Sequence, residues 1–364
     1  MDNNTNSIND EEFLVLHEFF SSAKSKLSIE TWDYLFGGAE TETTYKRNRL
    51  ALNSLGFRPR ILRNVEHLDT TVELFEHSLR IPVILAPIGS MQDFVESAGI
   101  APTRAAARFG ILHMLSSSCS PGLEKVARSI EYPKIFQLYV RGDKNWVDDH
   151  IRLAIQEGYI AFCFTVDLDA YGRRERDLAK RYRSTARRTA TGPEHQMRFS
   201  WDDVKRIKDT FDIPLIIKGI ATVEDAEMAV VNGIEAVYVS NHGGRQLDHG
   251  LGGASLLPEI VSAIKGKAKI IFDGGIMRGT DVIKGIALGA DAVGIGRLQG
   301  LAAGANGEPG IFRMLEILET EIQICLRLLG VNRLSDLNSS YLRECEPLGE
   351  NDHLSAFPLI KEGY

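Results

Sequence analysis

From Ile81 onward the chain repeats one unit, a short apolar run followed by a stretch of helical spacing. The runs are Val83–Ala86, Ile111–Leu115, Ile135–Val140, Ala161–Val166, Leu215–Lys218, Ala236–Val239, Lys269–Phe272 and Ala292–Ile295. Helical stretches lie between them, at Gly99–Arg108, Trp146–Glu157, Thr222–Asn232, Ala254–Ile264 and Thr280–Leu288. The runs do not alternate strictly between apolar and polar, which is the pattern of parallel strands covered on both faces. Eight such strands predict an α/β fold, a (β/α)8 TIM barrel over residues 81–330. A helix over Ile311–Leu329 is expected to close the ring.

Residues 1–80 read as an N-terminal helical extension. Helices are expected over Glu11–Lys26, with Phe13, Leu16, Phe19 and Phe20 on one face, over Ser28–Phe36 and over Thr43–Ser54. Phe57–Leu62 is extended around Pro59, and a small hairpin begins at Val72–Phe75. The first ten residues are polar and are expected to be disordered. Residues 331–364 form a tail expected to pack back on the body. Asp177–Arg198, rich in Arg and Lys, reads as a mobile loop or lid, although such a run also fits a plain solvated surface.

A charged fraction of 25%, a hydrophobic fraction of 44% and a net charge of −7 describe a soluble globular chain and give nucleic acid no basic surface. Cys119, Cys163, Cys325 and Cys345 are too scattered for a zinc site, so no metal is expected and a cytoplasmic, reducing location fits. There is no signal peptide pattern and no apolar run long enough to span a membrane.

Polar residues gather at one end of the strands. In order they are Ala86-Pro87-Ile88-Gly89, Ser116-Ser117, Gln137 and Tyr139, Thr165 and Asp167, Lys218-Gly219, Ser240-Asn241-His242, Asp273-Gly274-Gly275 and Gly296-Arg297. Active sites occupy that end of this fold. Within Ser240–Asp248 (SNHGGRQLD), His242 is a candidate base three residues from Arg245, a candidate carboxylate clamp. Alone, the stretch fits a surface turn equally well. Asp273-Gly274-Gly275 and Gly294-Ile295-Gly296-Arg297 follow the last two strands, where phosphate is commonly held, and the alternative is a pair of tight turns.

Taken in order, Asp33-Tyr34, Gly38-Ala39-Glu40, FRPR, PVILAP, FQLYV, TVD, GRRE, the Lys218 strand, SNHGGRQLD, DGG and GIGR make the chain resemble one family from roughly Glu11 to Gly330. That family is the FMN-dependent L-2-hydroxy acid dehydrogenases and oxidases, which includes glycolate oxidase, lactate oxidase and mandelate dehydrogenase. The resemblance implies His242 as base with Asp167 as its partner, and Tyr139 at the reacting hydroxyl. It implies that Arg174, Arg245 and Tyr34 hold the substrate carboxylate. Lys218 would sit near the flavin N1–O2 edge. Ala86, Pro87, Ile88, Ser116, Gln137, Thr165 and Ser240 would surround the isoalloxazine. Asp273, Gly274, Gly275, Gly296 and Arg297 would hold the ribityl phosphate. The implied reaction is oxidation of a 2-hydroxy acid to the keto acid, with oxygen or another molecule reoxidising the flavin. A homo-oligomer, commonly a tetramer, is implied as well.

The chain departs from the family at several places. Met277 stands where a phosphate-contacting Arg is expected, with Arg278, a further cofactor-binding candidate, next door and Arg297 remaining, so phosphate binding is expected to be rearranged or weaker. Ser118 replaces the Trp of several members, which predicts a wider or more polar pocket for a bulkier acid. Val95–Gly99 replaces the family's His-Pro-x-Gly-Glu, and the segment between GRRE and Lys218 is too short for a membrane-inserting loop. Gly89, where oxidases often carry Ala, favours a dehydrogenase or a poor oxidase. Two other classes remain open. One is a flavin barrel resembling isopentenyl diphosphate isomerase, which has no use for a carboxylate clamp. The other is a catalytically silent binding protein.

Overall fold

The computed structural model describes residues 13–363, so the expected disorder of the first ten residues lies outside the described residues. Eight parallel strands close a barrel: β1 (Val83–Leu85), β2 (Leu112–Ser116), β3 (Ile135–Leu138), β4 (Ala161–Thr165), β5 (Leu215–Ile220), β6 (Ala236–Val239), β7 (Lys269–Phe272) and β8 (Ala292–Ile295). Each pairs with its neighbour in sequence, and β8 returns to β1 with Val293 beside Val83. All eight coincide with the expected apolar runs. Every residue of β1, β2, β3, β4, β6 and β8 is buried, which is why those runs do not alternate.

Eight helices follow the strands: α1 (Ile100–Phe109), α2 (Leu123–Ser129), α3 (Lys144–Gln156), α4 (Trp201–Thr210), α5 (Val223–Val231), α6 (Gly253–Ile264), α7 (Gly279–Ala287) and α8 (Arg297–Leu329). Side chains start several of them. Asp143 accepts from the Trp146 N–H and Thr222 from the Asp225 N–H, each satisfying a helix donor that has no backbone partner. The last helix begins well before the expected Ile311. Its backbone breaks at Asn306 and Gly307 (φ +57°, ψ −142°), with Pro309 just beyond, and the sequence pattern showed only the part after the break.

Within the N-terminal extension, helices Leu16–Lys26, Ile29–Phe36 and Thr43–Asn53 precede a hairpin of Val72–Leu74 with His77–Leu79. Leu55–Phe57 pairs antiparallel with Leu342–Glu344, so the C-terminal tail does fold back on the body. The buried hydrophobic cluster runs without interruption from Phe13 through the barrel to Phe357.

Inside the barrel, Tyr238 of β6 is fully buried, and its phenol reaches β8, where a Cβ on Gly294 would stand 1.8 Å from the hydroxyl oxygen. At the barrel mouth, the segment read as a mobile loop or lid lies over the cleft and is partly helical. It forms helices Glu175–Ala179, Thr185–Thr189 and Pro193–Arg198, which are too short to show a period and are held by distant partners. Asp93 accepts from Tyr182 Oη (3.1 Å), Thr185 N (3.0 Å) and Thr185 Oγ1 (2.5 Å), and Ser90 Oγ accepts from Ala186 N (2.8 Å). Across the cleft, Arg176 pairs with Glu42 (2.6 Å) and Lys180 pairs with Asp33. These helices cap the C-terminal end of the barrel.

Candidate active site

The strand ends and the cap enclose a cleft of about 1070 Å³, counting its open mouth. Tyr34, Ala86, Pro87, Ile88, Tyr139, Arg174, Lys218, His242, Arg245, Asp273, Gly274, Gly275, Gly296 and Arg297 all line it. Ser116, Gln137, Thr165 and Ser240 are buried at the ends of the strands beneath. Arg278 is the exception. Its guanidinium pairs with Glu321 (2.5 Å) and donates to the Ala356 carbonyl (3.2 Å), and it is not part of the lining. The expectation that it binds the cofactor is therefore corrected: position 278 opens α7, and its side chain turns toward α8 and the tail.

One hydroxyl joins three strand ends. Ser240 Oγ accepts from Lys218 Nζ (2.9 Å) and from the His242 N–H (3.1 Å), and it donates to Asp273 Oδ1 (2.6 Å). His242 lies just beyond with its Nδ1 2.8 Å from Asp167 Oδ1. That contact requires a glycine on β5, because a Cβ at Gly219 would lie 2.8 Å from the Asp167 Cβ. Gly219 sits at a register shift in the β5–β6 ladder with φ +114°, a conformation that strongly favours glycine. With Nδ1–H donated to the carboxylate, Nε2 faces the cleft as an acceptor, 3.4 Å from Tyr139 Oη. Burial lowers the imidazole pKa below its ordinary value although Asp167 works to raise it, so the neutral, basic form is favoured. Burial acts to raise Asp167 too, but His242 and then Lys218 bring it below the usual carboxylate range.

Two arginines face the same space. Arg245 donates to the carbonyls of Tyr34 (2.6 Å) and Gly37 (3.0 Å), with its guanidinium carbon 4.8 Å above the Tyr34 ring. Arg174 donates to the Arg245 carbonyl and to Gln246 Oε1, both at 3.3 Å. Among the described residues neither has a carboxylate within ion-pair distance. Burial, followed by repulsion from Arg174, brings Arg245 down to about 9. A bound carboxylate would relieve both effects.

The remaining polar groups fit a flavin nucleotide. Gln137 Oε1 and Nε2 and Thr165 Oγ1 are buried without partners, as is Arg297 Nε. Unpaired buried polar atoms are costly, and a heterocycle with acceptor and donor edges would satisfy them. Burial opposes charge on Lys218, but Asp273 and Asp167 overcome it and leave the ammonium favoured. Gly274, Gly275 and Gly296 line the cleft beside Arg297, and a side chain at Gly296 would meet nothing within 4 Å, so the β8 end is open as an anion requires. A ring with polar edges and an attached phosphate is what FMN offers.

Several contributors were not legible in the sequence. Arg49, buried on helix Thr43–Asn53, donates to Gly275 O and Asp281 Oδ2 and so fixes the β7 loop. Gln246 donates to the carbonyls of Asp167 (2.9 Å) and Ala170 (2.8 Å), and its place within SNHGGRQLD was the one available hint. Phe94, Leu168, Tyr171, Ser184 and Ala186 line the cleft from segments with no motif.

The family model for FMN-dependent dehydrogenase matches residues 23–344. The chain belongs to that family. FMN is accordingly its cofactor, and its chemistry is that of the FMN-dependent 2-hydroxy acid oxidoreductases. Glycolate oxidase 1 of Zea mays is 35% identical over 94% of this chain and 97% of its own length. An L-lactate oxidase of Nostoc sp. is 36% identical over 90% of this chain and 97% of its own. Among solved structures, mandelate oxidase with (S)-2-phenylpropionate superposes with a TM-score of 0.86 at 33% identity, covering 93% of this chain and all of that one. No helix among the described residues is long and apolar enough to cross a membrane.

Proposed function

We propose that this member of the family oxidises an L-2-hydroxy acid with a bulky, largely apolar substituent to the 2-keto acid. The observation that carries the reading is an imidazole Nε2 that faces the cleft beside Tyr139, together with two buried guanidiniums that have no carboxylate partner among the described residues. Arg174 and Arg245 bind the substrate carboxylate, and the Tyr34 hydroxyl, now donating to the Gly89 carbonyl at 3.2 Å, turns to it. This clamp fixes C2 beside His242 and Tyr139. The conversion releases two protons and two electrons. His242 Nε2 takes one proton from the substrate, and Asp167 stabilises the resulting imidazolium. FMN, when bound, would accept the two electrons, which no side chain can, together with the second proton. Lys218 places a buried positive charge at the strand ends, where it offsets negative charge arriving with those electrons.

The substituent is read from the wall around Gly89. A Cβ built on Gly89 would meet the Cβ atoms of Ser118 at 3.2 Å and Ala186 at 3.8 Å, so three small residues converge there. Ile88, Phe94, Leu168 and Tyr171 complete that side. A small acid such as glycolate would leave this space unfilled. The oxidase relatives support oxygen as acceptor. Homotetramer assembly and a cytoplasmic location rest on the family resemblance and the free thiols, and light scattering of the purified enzyme checks the first.

The deciding experiment is anaerobic bleaching of the bound flavin by glycolate, L-lactate, L-phenyllactate and L-mandelate, followed by admission of oxygen. Faster bleaching by the aromatic acids supports the reading. No bleaching by any acid sinks it and favours the isomerase-like alternative.

A further inference from the structure

The C-terminal segment is linked to the cleft lining through Tyr45 and Arg297. His353 and Phe357 are buried against the N-terminal helices, with the His353 ring 4.3 Å from Phe36 and the Phe357 ring 6.1 Å from Phe20. His353 Nδ1 is hydrogen-bonded to Tyr45 Oη, and the His353 backbone N–H donates to the same oxygen at 3.1 Å. Tyr45 is buried in turn, and the guanidinium carbon of Arg297 lies 4.6 Å over its ring. Arg297 also donates to the carbonyls of Gly243 (2.8 Å) and Gly37 (2.9 Å). Arg297 is the only cation that the β7 and β8 ends contribute to the lining among the described residues, because the neighbouring wall residue is Met277.

A desolvated guanidinium is directed by its few partners, and an aromatic face beneath it is one of the stronger of these. That tyrosine face lies beneath Arg297, and the tail hydrogen-bonds its hydroxyl. We propose that Tyr45 and His353 are positioning residues for Arg297, so that the C-terminal segment sets how tightly the flavin phosphate is held. The inference rests on the reading of Arg297 as the phosphate cation.

Riboflavin, which lacks the phosphate, separates this role from simple structural support. Apoprotein of the full chain is titrated with FMN and with riboflavin by quenching of flavin fluorescence. His353→Ala and Tyr45→Leu are expected to lose on the order of tenfold in FMN affinity with riboflavin affinity unchanged. His353→Gln, which can still hydrogen-bond the phenol, is expected to retain FMN affinity. Equal loss for both flavins, or no loss for either, in His353→Ala overturns the relay. Arg297→Ala serves as the reference. If it abolishes the preference for FMN while His353→Ala does not, the relay alone falls. If it leaves that preference intact, the phosphate reading and the relay fall together. Should Tyr45→Leu fail to fold, the two His353 variants decide.

Discussion

His242 adopts φ +56°, a left-handed conformation uncommon for a residue with a Cβ. Two contacts hold it there: its N–H donates to Ser240 Oγ, and its ring is bound by Asp167. His242→Ala is expected to keep FMN bound while flavin reduction by substrate slows by roughly 10²–10⁴, the usual worth of a general base, as measured by stopped-flow bleaching. Near-normal reduction would remove His242 from its role. The base works as neutral imidazole, so activity falls as pH drops through its pKa. Burial lowers that pKa, which places the acid limb of kcat/KM below the ordinary histidine value of about 6.5. Asp167 acts to raise it, so Asp167→Asn should move the acid limb to lower pH and reduce turnover. A limb that moved upward would contradict this electrostatic account. His242 and Arg245 stood out in their own stretch because a base beside a cation suits an acid substrate, whereas the roles of Asp167 and Arg174 came only through the family resemblance. Gly219 was not legible, since its task is to leave room for an atom that only the folded chain brings near.

At the scale of elements, the strands were legible throughout because all eight are apolar runs between helices. A lid was among the readings of the cap segment, but its helices were missed because no local pattern makes them. Its helices are five or six residues long, and Asp93 supplies three hydrogen bonds from the loop after β1. Asp93→Ala is expected to release the cap on that side. KM for the aromatic acids should rise severalfold with kcat less affected, and limited proteolysis should cut within residues 183–190. Unchanged proteolysis and KM would mean that Arg176 and Lys180 suffice to hold the cap.

Across the whole molecule, the N-terminal extension is fastened to the barrel by a buried pair, Arg49 with Asp281 at 2.7 Å. Asp281 also accepts from the N–H groups of Met277 and Arg278, so the pair holds the β7 loop as well as helix Thr43–Asn53. Arg49→Met leaves a buried carboxylate unpaired and is expected to cost about 3–5 kcal/mol in denaturant unfolding, with FMN affinity lowered too. Adding Asp281→Leu should recover part of the stability. No sequence pattern announces such a pair, because its members lie far apart in the chain and each looks like an ordinary helical charge. For the same reason the pairing of Leu55–Phe57 with Leu342–Glu344 was not anticipated, although the return of the tail was.

Inside the barrel, the phenol of Tyr238 stands where any side chain on Gly294 would begin. These two positions are mutually exclusive occupants of one volume. A side chain at 294 is expected to be tolerated only after 238 has become smaller, since the ring carbon bearing the hydroxyl would itself lie 3.0 Å from the new Cβ. The two sites are therefore expected to change together, and a library that randomises 294 while keeping Tyr238 should return the parent glycine.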